Sequence, residues 1–457
     1  MPDGVSAVAA YLGCLLYGGI AAFLNNRLRT DDYAECISAM QPSLMITTQG
    51  HEAFDAAQAA GLSAICLDDD MLELLFQDAR PLDPFPSRGD EVCTYFVTSG
   101  TTGHPKIVPH THDHMFAVAQ SMGEFSGCRQ DDIVLCNSKI SHTYGSFASI
   151  SVPLQVGATT VLDPGKPSPA ETLRLLETER VTVFWSVPAL YAMLLMHMAD
   201  ADFPSAIRLC LSAGESLPQA VSAQWRAKTG LTIYQGYGST ENMTYVIGRR
   251  EEQLAPDCAG TVVPPYEAMI FDAALAPVAV GEPGQLGIRG PSVMSGYINE
   301  PEWSRKLFAP GGYMLTGDMA VEHDGVFTIL GRADDMFKVG GLWASPLRVE
   351  AALMEHPAVS MCAVTAGAVS AFTLVRAHIV LAPGFGETDQ LKNELRGHAL
   401  SLLPDYMAPT EFMFHSALPL TVSGKVQRYK LRRLEADEAS PADAALTKIK
   451  EAYDGDS

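Results

Sequence analysis

The chain has 457 residues, enough for two or three domains and a large core. Hydrophobic residues make up 47% and charged residues 18%, which excludes disorder as the main state. Lys and Arg total 31 against 53 Asp and Glu, a formal net charge of −22 that repels phosphate backbones and excludes general nucleic-acid binding. A site for an anionic ligand therefore has to be built locally, from backbone donors and a few cations.

Residues 7–24 (AVAAYLGCLLYGGIAAFL) form an apolar or small-residue run just long enough to raise the question of a membrane span. Its many Ala and Gly residues make the transfer energy modest. Asp3 is the only charged side chain before it, where a signal peptide carries a basic segment. The expected element is a buried helix followed by a turn at Asn25-Asn26, with no membrane association. Short apolar runs at 42–48, 62–68, 93–99, 132–138, 158–163 and 181–186 read as buried strands. Amphipathic stretches between them, such as 112–125 and 169–180, read as helices. This alternation predicts an α/β fold with a largely parallel sheet. Residues 259–330 change to glycine-rich, alternating runs that read as β-hairpins, one of them closed by Thr316-Gly317-Asp318.

A further strand–helix set begins after residues 331–335. It predicts a large N-terminal domain over 1–333, with layered sheets and helices plus a β-rich subdomain, and a small α+β domain over 334–457. The tail from Leu434 is acidic and polar and reads as a frayed helix or as disorder. Nine cysteines are scattered along the chain without a CxxC pair. They point to free thiols in a reducing compartment, and so to a cytoplasmic protein, not to a disulfide framework or a zinc site.

The strongest local signal is Thr98-Ser99-Gly100-Thr101-Thr102-Gly103-His104-Pro105-Lys106, directly after an apolar strand. Its glycines allow tight turns, its four hydroxyls and backbone amides can ring phosphate oxygens, and Lys106 adds a cation. The Walker A spacing is absent. A polar surface turn is the alternative for this segment alone. It is followed in order by residues 234–241 (YQGYGSTE), by Thr316-Gly317-Asp318, by residues 331–335 (GRADD) and by residues 420–428 (LTVSGKVQR).

In this order the motifs resemble the adenylate-forming superfamily, which comprises acyl- and aryl-CoA ligases, peptide-synthetase adenylation domains and firefly luciferase. Residues 212–218 (SAGESLP) and 331–346 (GRADDMFKVGGLWASP) look most like benzoate–CoA ligase and related aryl-acid ligases. The resemblance implies two steps: a carboxylate attacks the α-phosphate of ATP to give an acyl-AMP and pyrophosphate, and a thiol then displaces AMP. A carboxylate oxygen is a poor leaving group and AMP a good one, so the protein has chiefly to align the reactants and stabilise charge on phosphorus.

Roles follow from the resemblance motif by motif. The loop from Thr98 to Lys106 would cradle the β- and γ-phosphates. Glu241 would hold Mg²⁺, Thr240 would contact the α-phosphate, and Tyr237 beside Gly238 would stack on adenine opposite Ala213-Gly214-Glu215. Asp318 and Arg332 would hold the ribose, and Lys425 would bridge the attacking carboxylate and the α-phosphate. A mobile surface lysine is the alternative for Lys425 taken alone. Asp334 marks the expected hinge of a mobile small domain, and Gly340-Gly341 would let the pantetheine arm of CoA pass.

His142, in residues 141–145 (SHTYG), aligns with the group that gates the acyl pocket in acid–thiol ligases; a packed core histidine is the alternative. Tyr144, Gly236 and Met243 are expected to line a compact pocket suited to an aryl ring. No aspartate stands between Cys136 and Val152, where amino-acid-activating relatives usually bind an α-amine. The chain departs from the family in carrying less sequence than usual before the phosphate loop, and a natural short form, a truncation and a misassigned start all account for that. Ile107 replaces the usual glycine after the loop lysine, and Arg348 and Gln285 each replace a usual glutamate.

The leading expectation is an AMP-forming acid–CoA ligase acting on a small aromatic acid. An enzyme loading the phosphopantetheine thiol of a carrier protein, or forming an amide, is the alternative, and a nucleotide-binding relative that has lost catalysis is a third. A homodimer is left open.

Overall fold

The computed structural model describes residues 1–67, 69–77, 80, 83–99, 105–198, 203–204, 206–250, 258–369, 372–420 and 426–432. The chain divides into two compact units, Met1–Thr316 with Ala320–Ile329, and Gly317–Met319 with Leu330–Ser457.

The first unit opens with helix α1 (Val5–Leu16), of which Ser6, Ala7 and Tyr11 are buried. The apolar run that suggested a longer helix is broken early: Gly18 has φ +81°, and the chain turns at Asn26-Arg27, where the Leu28 amide donates to the Asn25 carbonyl. Val5, Leu16 and Tyr17 are exposed, so the segment is a short, half-buried surface helix and not the buried one expected. Among the described residues no helix is long and apolar enough to cross a membrane.

Strands β1 (Val92–Ser99) and β2 (Pro105–Thr111) pair antiparallel, and Thr98 faces Lys106 while Ser99 faces Pro105. Helix α2 (His112–Ser126) follows, capped by the Thr111 hydroxyl, which accepts from the His114 amide. Next come β3 (Ile133–Cys136), β4 (Thr159–Val161), α3 (Pro169–Thr178), β5 (Val183–Ser186), α4 (Pro188–His197), β6 (Leu209–Ser212), α5 (Gln219–Thr229) and β7 (Ile233–Gly238). Four of the six strands read from the sequence lie in β1, β3, β4 and β5. The other two, Met45–Thr47 and Ala64–Cys66, form a separate parallel pair.

Alternation explains the layers. Val134, Cys136, Val183, Trp185, Leu209 and Leu211 face Val118, Met122, Phe147 and Val152, whereas Leu135, Phe184 and Cys210 face Leu175, Leu176, Leu190, Leu194 and Trp225. Each strand is apolar on both sides because a helical layer covers each face, as buried parallel strands require.

Beyond β7 the sheet continues through β8 (Tyr245–Arg249), β9 (Gly260–Val262), β10 (Glu267–Phe271), β11 (Gly284–Arg289), β12 (Tyr313–His323) and β13 (Val326–Arg332). The strand order is β10-β11-β12-β13-β9-β8-β7-β6-β5-β3-β4. Strands β3 to β7 run parallel, and β7 pairs antiparallel with β8. Thr316-Gly317-Asp318 does not close a hairpin. It lies inside the eleven-residue β12, kinked where Gly317 has φ +75°, and the turn falls at Asp324-Gly325, whose φ angles of 52° and 81° suit a two-residue hairpin.

In the second unit, a short hairpin pairs Phe337–Val339 with Leu342–Ala344. Helix α6 (Pro346–Met354), strands β14 (Val359–Val369) and β15 (Phe372–Leu381), helix α7 (Asp389–Leu402) and β16 (Glu411–Phe414) then build a three-stranded sheet with two helices. Val349, Leu353, Val364, Ile379, Leu391 and Leu395 form its core. The α/β class with a large first and a small second domain is the observed architecture. The tail from residue 433 lies outside the described residues.

Candidate active site

Ligands of open α/β sheets bind beyond the carboxyl ends of parallel strands, where backbone amides and loops converge. The candidate residues cluster in sequence at those ends: His142 and Tyr144 after β3, Ala213-Gly214-Glu215 after β6, and Gly238 to Glu241 at the end of β7. The loop between β1 and β2 begins after Ser99 and ends before Pro105; Gly100, Thr101, Thr102, Gly103 and His104 lie outside the described residues, as does Lys425.

Local sequence shapes the end of β7. A Cβ on Gly238 would stand 1.7 Å from the Thr244 carbonyl oxygen, so only glycine lets the chain double back there. Gly236 is buried with the Tyr245 ring against it, and Met243 is fully buried in the core at φ 60°. The Asn242 side-chain carbonyl accepts from the amides of Ser239 and Thr244, which ties the 239–244 turn together.

That turn is fastened to two other segments. His110, fully buried on β2, donates from Nε2 to the Thr240 carbonyl at 2.8 Å. Tyr297 donates from its hydroxyl to Glu241 Oε1 at 2.7 Å, and the Met294 amide donates to the Glu241 carbonyl. The Ile298 amide in turn donates to the carbonyl of Ile107. Strand β2 at His110 and Ile107, the Thr240-Glu241 turn and the 294–298 segment are therefore stitched into one piece. Ile107 itself is buried, so its side chain adds core packing at this junction.

Burial pushes the His110 ring down to about 3, with the neighbouring His114 ring adding to the effect. The same burial drives the thiols of Cys93 and Cys210 up to about 12, which leaves them unsuited to nucleophilic work. None of the nine cysteines forms a disulfide.

His142 is exposed and its Nε2 lies 3.5 Å from Asn25 Nδ2, so it is not a packed core histidine. It precedes a helical turn, Thr143–Ser146, that runs into a π-helical segment, Phe147–Ser151. Such wide turns often occur at functional sites. Tyr144 is half-buried, its hydroxyl lies 3.0 Å from the Ser186 carbonyl, and its ring meets those of Phe147, Trp185 and Tyr245. Tyr237 is half-buried, Gly214 and Glu215 are exposed, and Ala213 is buried.

In the second unit, Arg332 Nη1 and Asp318 Oδ1 lie 3.5 Å apart, so the two proposed ribose ligands are adjacent. Asp334 is exposed in the turn after β13, and Gly340-Gly341 make the turn of the short hairpin. Leu420 bridges to Val426, and Arg428 is bound to the buried Glu350 at 2.6 Å and to Asp335 at 3.5 Å, so the chain is anchored on both sides of residues 421–425. Burial pushes the Glu350 carboxyl up, against the pull of Arg428.

Among the described residues no group of three His, Cys, Asp or Glu side chains is placed to hold a metal ion, so Glu241 is not part of such a cluster. That fits a hard cation held by one carboxylate and substrate phosphates, as Mg²⁺ commonly is, and not a protein-only metal cage. Sequence reading missed His110 and Tyr297. The run PHTHDH reads as a polar helix entrance, and the signal in it was its position directly after two strand residues buried on both faces.

Residues 1–298 match the AMP-binding enzyme family, and residues 348–425 match the AMP-binding enzyme C-terminal domain. The chain is 32% identical to the benzoate–CoA ligase of Thauera aromatica over 94% of its own length and 84% of the relative's. It is 32% identical to a 4-hydroxybenzoate–CoA/benzoate–CoA ligase of Rhodopseudomonas palustris, over 98% and 86% of the two chains. Among solved structures, an anthranilate–CoA ligase in complex with anthranoyl-AMP superposes with a TM-score of 0.87 at 30% identity, covering 95% of this chain and 86% of that one. A benzoate–CoA ligase of Burkholderia xenovorans gives a TM-score of 0.85 at 31% identity, over 94% and 88%.

Proposed function

This chain belongs to the AMP-binding enzyme family, as an AMP-forming acid–CoA ligase of the adenylate-forming superfamily, and we propose that it activates a small aromatic carboxylic acid and transfers the acyl group to CoA. The observation that carries the site is the stitching of the Thr240-Glu241 turn to the strand leaving the phosphate loop, through His110, Tyr297 and the 107–298 backbone bond.

In the first step a carboxylate oxygen of the acid forms a bond to the α-phosphorus of ATP as the bond to pyrophosphate breaks. The loop from Thr98 to Lys106 binds the leaving phosphates, the Thr240 hydroxyl contacts the α-phosphate, and Lys425 stabilises the charge shared between carboxylate and phosphorus. Glu241 would hold Mg²⁺, which when bound neutralises negative charge on the phosphate oxygens. Tyr237 and the 213–215 segment flank the adenine, and Asp318 with Arg332 binds the ribose.

In the second step the thiol sulfur attacks the acyl carbon and the acyl–phosphate bond breaks, releasing AMP. In this reading Gly340-Gly341 leave room for the pantetheine arm to pass, and Asp334 serves as the hinge of the small domain between steps. The aromatic choice of acid rests on the named substrates of the relatives, with the half-buried ring of Tyr144 two residues after His142 as the local support.

The test is product analysis with benzoate, hydroxybenzoates, aminobenzoates and straight-chain acids. Release of AMP with a CoA thioester that depends on both CoA and an aromatic acid is the expected result. Thioester formation only with straight-chain acids would remove the aromatic assignment.

A further inference from the structure

Lys106, the cation that ends the phosphate loop, is held by aromatic faces. Its Nζ lies 3.9 Å from the centre of the Trp303 ring and 5.1 Å from that of Tyr297. No ion pair joins Lys106 to a carboxylate among the described residues.

The two rings are placed by backbone and hydroxyl bonds, not by the lysine. Trp303 sits on the short helix Pro301–Lys306, whose Ser304 hydroxyl accepts from the Tyr297 amide and donates to the Glu300 carbonyl. The Ile298 amide donates to Ile107, which sets Tyr297 beside β2 and its first cation.

We propose that Tyr297 and Trp303 form an aromatic cradle that positions Lys106 for the phosphates of ATP while leaving its charge uncompensated. This rests on the nucleotide reading given above. A carboxylate would hold the lysine equally well but would neutralise it, and an incoming phosphate would then have to displace that partner. An aromatic face attracts a cation through its quadrupole and carries no net charge, so the ammonium keeps its full attraction for an anion. In a chain of net charge −22 such a pre-placed cation is a local exception to the prevailing field.

Tyr297 has a second part in the arrangement. Its ring faces Lys106 and its hydroxyl holds Glu241 at 2.7 Å, so one side chain spaces the phosphate-binding cation from the metal-binding carboxylate. Tyr297 and Trp303 are positioning residues: they act through Lys106 and Glu241.

The experiment is a double-mutant cycle on MgATP binding, measured by calorimetry on the full chain. It uses wild type, Trp303→Ala, Lys106→Ala and the double variant, with Trp303→Phe as the conservative replacement. Trp303 is 47% exposed, so its removal leaves the fold intact, and a thermal melt checks this. Trp303→Ala is expected to weaken MgATP binding about five-fold, and Trp303→Phe by less.

In the Lys106→Ala background the tryptophan change is expected to have no further effect. Equal losses in both backgrounds would mean that Trp303 acts without the lysine and would overturn the cradle. Tighter binding by Trp303→Ala would mean that the ring sequesters Lys106 from phosphate, which also overturns it. A wild-type chain that binds no MgATP would sink the nucleotide reading itself, and the cradle with it.

Discussion

His110 is fully buried, and because a carbonyl can only accept, its bond to Thr240 fixes the proton on Nε2. Nδ1 is then the acceptor, and His114 donates to it from its own Nδ1 at 3.2 Å. Burial holds the folded-state value at about 3, against about 6.5 for an unfolded histidine. The unfolded chain therefore binds the extra proton between those values, so this residue's contribution to stability is present above pH 6.5 and is lost as the pH falls towards 3. Denaturant titrations from pH 7 to pH 4 should show that loss in wild type and less of it in His110→Gln, which keeps a donor without the titration. His110→Ala should lower stability by about 2–3 kcal/mol, through an unsatisfied carbonyl and a cavity, and should lower adenylation as well. Lys425→Ala should reduce adenylation by about 10²–10³ while thiolysis of preformed acyl-AMP continues, as the first-step role proposed for the lysine requires. Single-turnover assays of each half-reaction check this, and equal loss in both would contradict the role. None of the His110 effects was legible in PHTHDH, because a histidine's worth here comes from a contact 130 residues away.

Strands were the legible elements, because buried parallel strands are written as short continuous apolar runs, and β3, β4 and β5 fall inside the runs that announced them. Glycine misled twice, in opposite directions. Gly18 ended α1 inside a run that reads as one apolar helix, and Gly317 sat within a strand where Thr-Gly-Asp reads as a turn. A positive φ breaks a helix but only kinks a strand that neighbours hold on both sides, and the sequence does not state which setting applies. Gly238 tests the local account of the site: with the Thr244 carbonyl 1.7 Å from where a Cβ would stand, Gly238→Ala should displace the 239–244 turn. Stability should fall by more than about 2 kcal/mol in urea titration, with adenylation lost alongside. Arg428 tests the second unit. Replacing it by Ala leaves Glu350 buried without its partner, so the unit should lose about 3–5 kcal/mol, read as faster amide exchange along β14 and β15.

For the whole molecule, the division into a large and a small unit follows from two separate cores, one around the parallel sheet and one around β14 to β16. The order of motifs along the chain made the family legible without any coordinates, because several separate motifs in one fixed order are far more specific than any one of them. What stayed hidden was the fastening between motifs, such as Tyr297 to Glu241 and Lys106 to Trp303, for aromatic residues outside a periodic pattern carry no address. A hinge at Asp334 makes a prediction at this scale: Asp334→Pro fixes a backbone angle that a rotation has to change, so thioester formation should suffer more than adenylation. Unchanged thioester formation in that variant would remove the hinge. The central claim is that the chain makes an acyl-AMP from an aromatic acid, and acid-dependent exchange of labelled pyrophosphate into ATP, without CoA, measures that step alone. Exchange with benzoate-type acids, abolished by Lys425→Ala, is the predicted result. No exchange with any carboxylic acid, from protein that binds MgATP, would contradict it.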